Sequence, residues 1–179
     1  MAPRLICLIG AECTGKTTLA QALAQQMDGL WVPEYLRRFT QTRGRTPQRA
    51  EQLHILQEQL RMETEALSQA RQQGHSAIFC DTAPLLTAIY SDCLFADVSL
   101  YPQARSLHAR YVLTLFLEPD IPWQADGLQR DGAQSRAAVH VAIEHALASG
   151  GDAWPVVRIA GTAAQRLAVA CDAVACAMR

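Results

Sequence analysis

The sequence predicts a three-layer α/β/α fold built on a five-stranded parallel sheet, and three observations carry that prediction. Short apolar runs alternate with helical stretches along the whole chain, in the order β-α-β-α-β-α-β-α-β. The runs are continuously apolar, as in strands buried on both faces, and parallel neighbours need crossover helices to join them. The first run leads directly into Gly10-Ala11-Glu12-Cys13-Thr14-Gly15-Lys16-Thr17. That stretch matches the G-x-x-x-x-G-K-[ST] phosphate-binding pattern at every fixed position. Strand, loop and helix in this order predict a P-loop NTPase fold, and 179 residues suit a single domain, 1–179.

The first strand is Leu5-Ile6-Cys7-Leu8-Ile9. Lys16 to about Met27 reads as a helix, with Leu19, Leu23 and Met27 on one face and Asp28-Gly29 ending it. Leu30-Trp31-Val32 is a second strand, closed by Pro33-Glu34, and Tyr35 to Arg43 a helix carrying Arg37, Arg38 and Arg43. Gly44-Arg45-Thr46-Pro47 marks a turn, because proline suits the first turn of a helix. A long amphipathic helix follows from Pro47 to about Gln73, with Leu53, Leu56, Leu60, Glu63 and Leu67 expected on the face that covers the sheet. Gly74-His75 breaks it. Ala77-Ile78-Phe79-Cys80-Asp81 is the third strand, and Thr82 is expected to cap the helix opened by Thr82-Ala83-Pro84. Leu107 to Ala109 lead into the fourth strand, Tyr111 to Leu117, which the two prolines of Glu118-Pro119-Asp120-Ile121-Pro122-Trp123 end. A polar segment from Gln124 to about Ser135 precedes a helix from Arg136 to Ala148. Gly150-Gly151, a fifth strand at Val156-Val157-Arg158-Ile159 and a closing helix from Thr162 to Met178 complete the chain, with no internal repeat.

Half of the residues are hydrophobic, 18% are charged and the formal net charge is −1. Such a chain has no overall field to attract nucleic acid or an anionic membrane, and a small-molecule ligand fits it better. No apolar stretch reaches the roughly 18 residues of a membrane span. No secretory signal fits before the first strand, so a cytoplasmic location is expected. The six cysteines, at 7, 13, 80, 93, 171 and 176, form no C-x-x-C pair or zinc-spaced cluster and suit a reducing compartment. Cys7 and Cys80 read as core residues and Cys13 as a loop filler. Nothing in the pattern bears on oligomeric state.

Ligands of parallel sheets bind beyond the C-terminal strand ends. That rule brings together the phosphate loop, Glu34-Tyr35, Asp81-Thr82 and the segment from Glu118 to Trp123. In the loop, Gly10 and Gly15 let the backbone approach a phosphate. The amides of Glu12, Cys13, Thr14, Gly15, Lys16, Thr17 and Thr18, with the dipole of the helix they open, favour its charge. Lys16 would neutralise the outer phosphates of ATP, and Thr17 would ligate Mg²⁺. Asp81 has the form of a second Mg²⁺ ligand, its other reading being a partner for the following helix dipole. Glu34 then remains to accept a proton from an acceptor hydroxyl, although either carboxylate could take that part. Tyr35 offers a stacking face, and Arg37 or Arg38 could reach phosphate or acceptor, or simply be solvated. Arg130 and Arg136 suit a lid, at about 123–136, that closes on the nucleotide and supplies positive charge to the transition state; a plain connecting loop is the other reading.

The phosphate loop followed by Pro33-Glu34-Tyr35 with nearby arginines, the Cys80-Asp81-Thr82 strand end, and Pro119-Asp120-Ile121-Pro122-Trp123 with Asp126-Gly127-Leu128 resemble one family. It is the ribosylnicotinamide kinase domain of NadR-type proteins, a branch of the P-loop kinases related to AAA-type ATPases. The resemblance covers essentially the whole chain, and the Trp-x-x-Asp-Gly segment is its more discriminating part. It implies ATP- and Mg²⁺-dependent phosphorylation of the ribose 5′-hydroxyl of nicotinamide riboside, giving nicotinamide mononucleotide. Glu34, Tyr35, Trp123 and Asp126 would then surround the riboside, whose cationic ring suits an aromatic face beside a carboxylate. Two other readings stand beside it. One is a kinase of another nucleoside or small molecule, and the other is a stand-alone ATPase or nucleotide switch. A GTP-reading form is disfavoured, because the chain contains no Asn-Lys-x-Asp motif.

Overall fold

The structure, a computed structural model, describes residues 2–122 and 132–179, with the backbone alone at 132–134. Its strands are β1 (Arg4–Ile9), β2 (Leu30–Val32), β3 (Ala77–Asp81), β4 (Tyr111–Leu117) and β5 (Val156–Ile159). All pair in parallel, in the order β2-β3-β1-β4-β5. The helices are α1 (Lys16–Gln26), α2 (Tyr35–Arg43), α3 (Gln52–Gln73), α4 (Pro84–Phe95), α5 (Tyr101–His108), α6 (Gly132–Ala148) and α7 (Ala163–Ala177).

Residue parity along the strands divides the core into two halves, because neighbouring side chains on a strand point to opposite faces. Leu5, Cys7 and Ile9 of β1 join Ile78 and Cys80 beneath helices α3 to α6. Ile6 and Leu8 join Phe79, Leu113, Leu115 and Leu117 beneath α1 and α7, where Leu19, Leu23, Ala170 and Val174 meet them. The result is the predicted three layers around five parallel strands. All six cysteines are free, and burial raises the thiol pKa values of Cys7 and Cys80. Among the described residues no helix is long and apolar enough to cross a membrane.

Four local expectations need correction. The lead-in to β4 contains a helix of its own, α5, which buries only Ala104 and His108 and so carries little apolar periodicity. Thr82 does not cap α4: its φ is 82° and Ala83 holds the cap position. Helix α6 starts at Gly132, before Arg136. Finally, α3 starts at Gln52 rather than at Pro47, and its buried face departs from the expected one at Leu53. Leu53 is 43% exposed, while Gln52, Ile55, Leu56, Gln59 and Glu63 are buried. Partners for the polar groups account for this: Gln59 Oε1 accepts a hydrogen bond from the Tyr35 amide (2.9 Å), and Glu63 Oε1 accepts one from the Tyr111 hydroxyl (2.7 Å).

Burial pushes the Glu63 carboxyl up to about 7, against the opposing effects of Tyr111 and Arg110. In the unfolded chain the group titrates near ~4.3. Its contribution to stability is therefore complete below that value and is lost as pH rises through about 7. Glu63→Gln keeps an acceptor for Tyr111 but cannot ionise. Thermal melts of the two proteins should diverge in the variant's favour as pH rises over this range, by about 3 kcal/mol once Glu63 is ionised in the folded state. A difference that is the same at pH 4 and pH 8 would contradict this.

Candidate nucleotide site

β1 ends at Ile9, and the chain turns at Gly10 under Leu117 of β4. A Cβ on residue 10 would lie 2.7 Å from Thr14 Oγ1 and 3.0 Å from the Leu117 carbonyl oxygen, so only glycine fits without moving the loop. Cys13 (φ 53°) and Gly15 (φ 82°) take left-handed backbone, and Thr14 Oγ1 closes the turn by donating to the Ala11 carbonyl (2.9 Å). Gly15 stands at the N-cap of α1 without a side-chain cap, so the first-turn amides of α1 are left for an anion. Lys16 Nζ arches back to the carbonyls of Gly10 and Ala11, 3.0 Å from each. Gly10→Ala should displace Thr14 and weaken ATP binding about tenfold or more while the chain stays folded, as titration calorimetry with ATP would measure. Unchanged affinity would show that the loop tolerates the extra methyl.

The register of β1 against β3 pairs Leu8 with Asp81, which brings the end of β3 to the base of the loop. The Thr17 hydroxyl donates to Asp81 Oδ2 at 2.5 Å. Asp81 is 1% exposed, and its Oδ1 is buried with no hydrogen-bond partner among the described residues. A hydroxyl and a carboxylate with an unused oxygen suit a hard cation such as Mg²⁺, which takes oxygen ligands and completes its shell with phosphate and water. Among the described residues there is no cluster of three or more His, Cys, Asp or Glu that could hold a metal by itself. Thr82, directly after Asp81, keeps its strained backbone while its amide donates to the Leu8 carbonyl (3.0 Å). Such outliers cost about 1–3 kcal/mol and concentrate at functional sites.

Cys13, Thr14, Gly15, Lys16, Thr17 and Thr18 form one wall of a cavity of about 590 Å³, with Ile121 beside Gly15, and Glu34 and Arg37 line it from α2; Pro122 completes the lining. Glu12 is half-buried in the loop and is not part of this wall. Glu34 reaches the cavity from the N-cap of α2, just beyond β2. Its neighbours diverge. Tyr35 and Arg38 line a separate hollow of about 350 Å³ between α2 and α3, where the Tyr35 hydroxyl lies 3.2 Å from His54 Nε2. Successive helical residues are turned by about 100°, which sends Arg37 and Arg38 to different hollows. A third, largely apolar cavity of about 350 Å³ shares Thr14, Gly15, Thr18 and Ile121 with the first and extends to Leu19, Ala22 and the start of α7.

Arg136 is 8% exposed and lies at the back of the loop. It donates to the carbonyls of Ile121 (3.1 Å) and Cys13 (3.3 Å). Trp123, Asp126 and Arg130, with the lid core at 123–131, lie outside the described residues. Two buried polar residues were not singled out from sequence. One is Gln59, which holds the amide next to Glu34. The other is Arg166, which bonds to Thr14, Glu118, Gly161 and Asp120. Applying the strand-end rule to β5 as well would have pointed to Gly161 and its neighbours in α7.

Comparison with solved structures shows the same fold. The chain superposes on a NadR protein in complex with NAD and AMP-PNP with a TM-score of 0.79 and 23% identity, covering 99% of this chain and 50% of that one. It superposes on a NadR protein in complex with NR with a TM-score of 0.76 and 22% identity, covering 97% and 51%. The chain thus spans about half the length of these NadR structures. Thymidylate kinase from Ehrlichia chaffeensis is similar over 98% of this chain and 99% of its own, with a TM-score of 0.68 and 13% identity. A search of curated proteins by sequence found no match. A family model described as an AAA domain matches residues 5–166, a span running from the first strand of the phosphate-loop core to Arg166 in the closing helix, and the chain belongs to that AAA-domain family.

Proposed function

We propose that this chain is a small-molecule kinase that transfers the γ-phosphoryl group of ATP to the ribose 5′-hydroxyl of nicotinamide riboside. The observation that carries the reading is the two-walled cavity. A phosphate cradle with Lys16 faces a carboxylate, Glu34, and a guanidinium, Arg37, across one space. A nucleotide switch has no need of the second wall, whereas a kinase must hold donor and acceptor together.

The loop amides and Lys16 bind and orient the phosphates, and the adjoining apolar cavity takes the adenine base. Thr17 and Asp81 would hold Mg²⁺, which neutralises charge on the phosphates when bound. Glu34 accepts the proton of the acceptor hydroxyl, and Arg37 steadies the negative charge of the transferring group. Similarity to NadR structures, one holding NAD and AMP-PNP and another NR, supports both the donor and the acceptor. Trp123, Asp126 and Tyr35 are proposed riboside contacts on the family resemblance, and Arg38 a further contact and Arg130 a lid cation on the sequence pattern. Six free thiols accord with action in the cytoplasm. The fold shared with deoxyadenosine and thymidylate kinases makes another nucleoside or nucleotide the second reading.

The test is ATP consumption with nicotinamide riboside beside a panel of nucleosides and nucleotides. Turnover that depends on nicotinamide riboside is expected. Turnover only with a deoxynucleoside would overturn the acceptor and spare the kinase.

A further inference from the structure

We infer that Arg166 is a positioning residue for the phosphate loop, holding it from behind in the shape that receives a phosphate; the inference rests on the reading of that loop as the donor site. Arg166 is 5% exposed, borders the apolar cavity at the start of α7, and donates to three carbonyls. Nη1 donates to the Thr14 carbonyl at 2.7 Å, Nε to the Gly161 carbonyl at 2.9 Å and Nη2 to the Glu118 carbonyl at 3.0 Å. The same Nη2 pairs with Asp120 Oδ1, and Asp120 Oδ2 accepts a hydrogen bond from the Gly161 amide at 2.6 Å.

The bond to Thr14 carries the functional weight. The peptide joining Thr14 and Gly15 is a rigid trans unit, so its C=O and N–H point in opposite directions. Drawing the Thr14 carbonyl back onto Arg166 turns the Gly15 amide away from Arg166. The loop around that amide takes left-handed backbone at Cys13 (φ 53°) and at Gly15 itself (φ 82°), and the anchor on the intervening Thr14 carbonyl holds the two in place. Arg136 makes the corresponding contact one peptide earlier, at the Cys13 carbonyl. Because Asp120 neutralises Arg166 at close range, its effect on phosphate comes through geometry rather than through net charge. The rigid planar fork reaches three carbonyls from three separate segments, which the single ammonium of a lysine cannot do.

The experiment measures binding of inorganic tripolyphosphate with Mg²⁺, and separately of adenosine, to the full chain by titration calorimetry, together with the KM for nicotinamide riboside. Arg166→Met is expected to weaken tripolyphosphate about tenfold or more and to leave the riboside KM within about twofold. Arg166→Lys is expected to be impaired to a similar degree. Should Arg166→Met fail to fold, Asp120→Asn, at a partly exposed side chain, reads the same arm and is expected to weaken tripolyphosphate about threefold. Four results would overturn the inference. They are unchanged tripolyphosphate affinity in a folded variant, loss of adenosine binding alone, equal losses for tripolyphosphate and riboside, and full recovery with lysine. A wild-type chain that binds tripolyphosphate yet phosphorylates no acceptor would defeat the kinase reading while leaving the role of Arg166 open to the same titration.

Discussion

Glu34→Gln is expected to lower kcat for phosphoryl transfer by about a hundred- to ten-thousandfold while ATP affinity stays within about twofold. Glu34 faces the loop across the cavity and belongs to the acceptor wall, at the N-cap of α2. Its backbone is extended and its side chain makes no capping hydrogen bond to α2, so the amide variant removes proton-accepting capacity without removing a cap. The split between the two kinetic constants is the diagnostic. A base acts in the chemical step, so its loss appears in kcat, whereas a nucleotide ligand would appear in affinity. Loss of ATP binding in a folded Glu34→Gln protein would contradict the assignment and move the proton-accepting role to Asp81.

Lys16→Met should act on the opposite wall. Lys16 Nζ holds the Gly10 and Ala11 carbonyls, and an ammonium carries three donors. Phosphate oxygens at the loop would compete for that cation, whose effect grows as charge develops in the transition state. A fall of about a hundred- to a thousandfold in kcat/KM for ATP is expected, with weaker ATP binding as well. Lys16 is only part-buried, so thermal stability should change little. A variant that melts like the parent and still turns over at a comparable rate would remove Lys16 from the mechanism.

Much of the frame is legible in the chain for a simple physical reason. β3 and β4 fall on nearly continuous apolar runs, and a strand buried on both faces has no other way to be written, whereas the edge strand β5 carries an exposed Arg158. The phosphate loop is equally legible, since its glycines answer to contacts and dihedrals that admit little else, as at Gly10 and Gly15. What stayed hidden depends on partners distant in sequence. Leu53 reads as a core residue and Gln59 does not, because the group that satisfies Gln59, the Tyr35 amide, belongs to another element, as does the Tyr111 hydroxyl that Glu63 holds. Arg37 and Arg38 are adjacent in sequence, and only the phase of α2, set where β2 ends, decides which one meets the cavity. Arg166 is 152 residues from the carbonyl it holds and carries no local signature. The residue type of Thr82 suggests a cap, whereas at the exit from β3 it takes positive φ and leaves the cap position to Ala83.

The two walls of one cavity make acceptor-dependent transfer the central claim, and the fate of the γ-phosphoryl group tests it most directly. The chain is mixed with ATP labelled at the γ-phosphorus, Mg²⁺ and nicotinamide riboside, and the products are separated. Label in nicotinamide mononucleotide, absent when the riboside is omitted and lost with Glu34→Gln, is the expected result. Label released as inorganic phosphate at a rate that neither the riboside nor any nucleoside changes would contradict it.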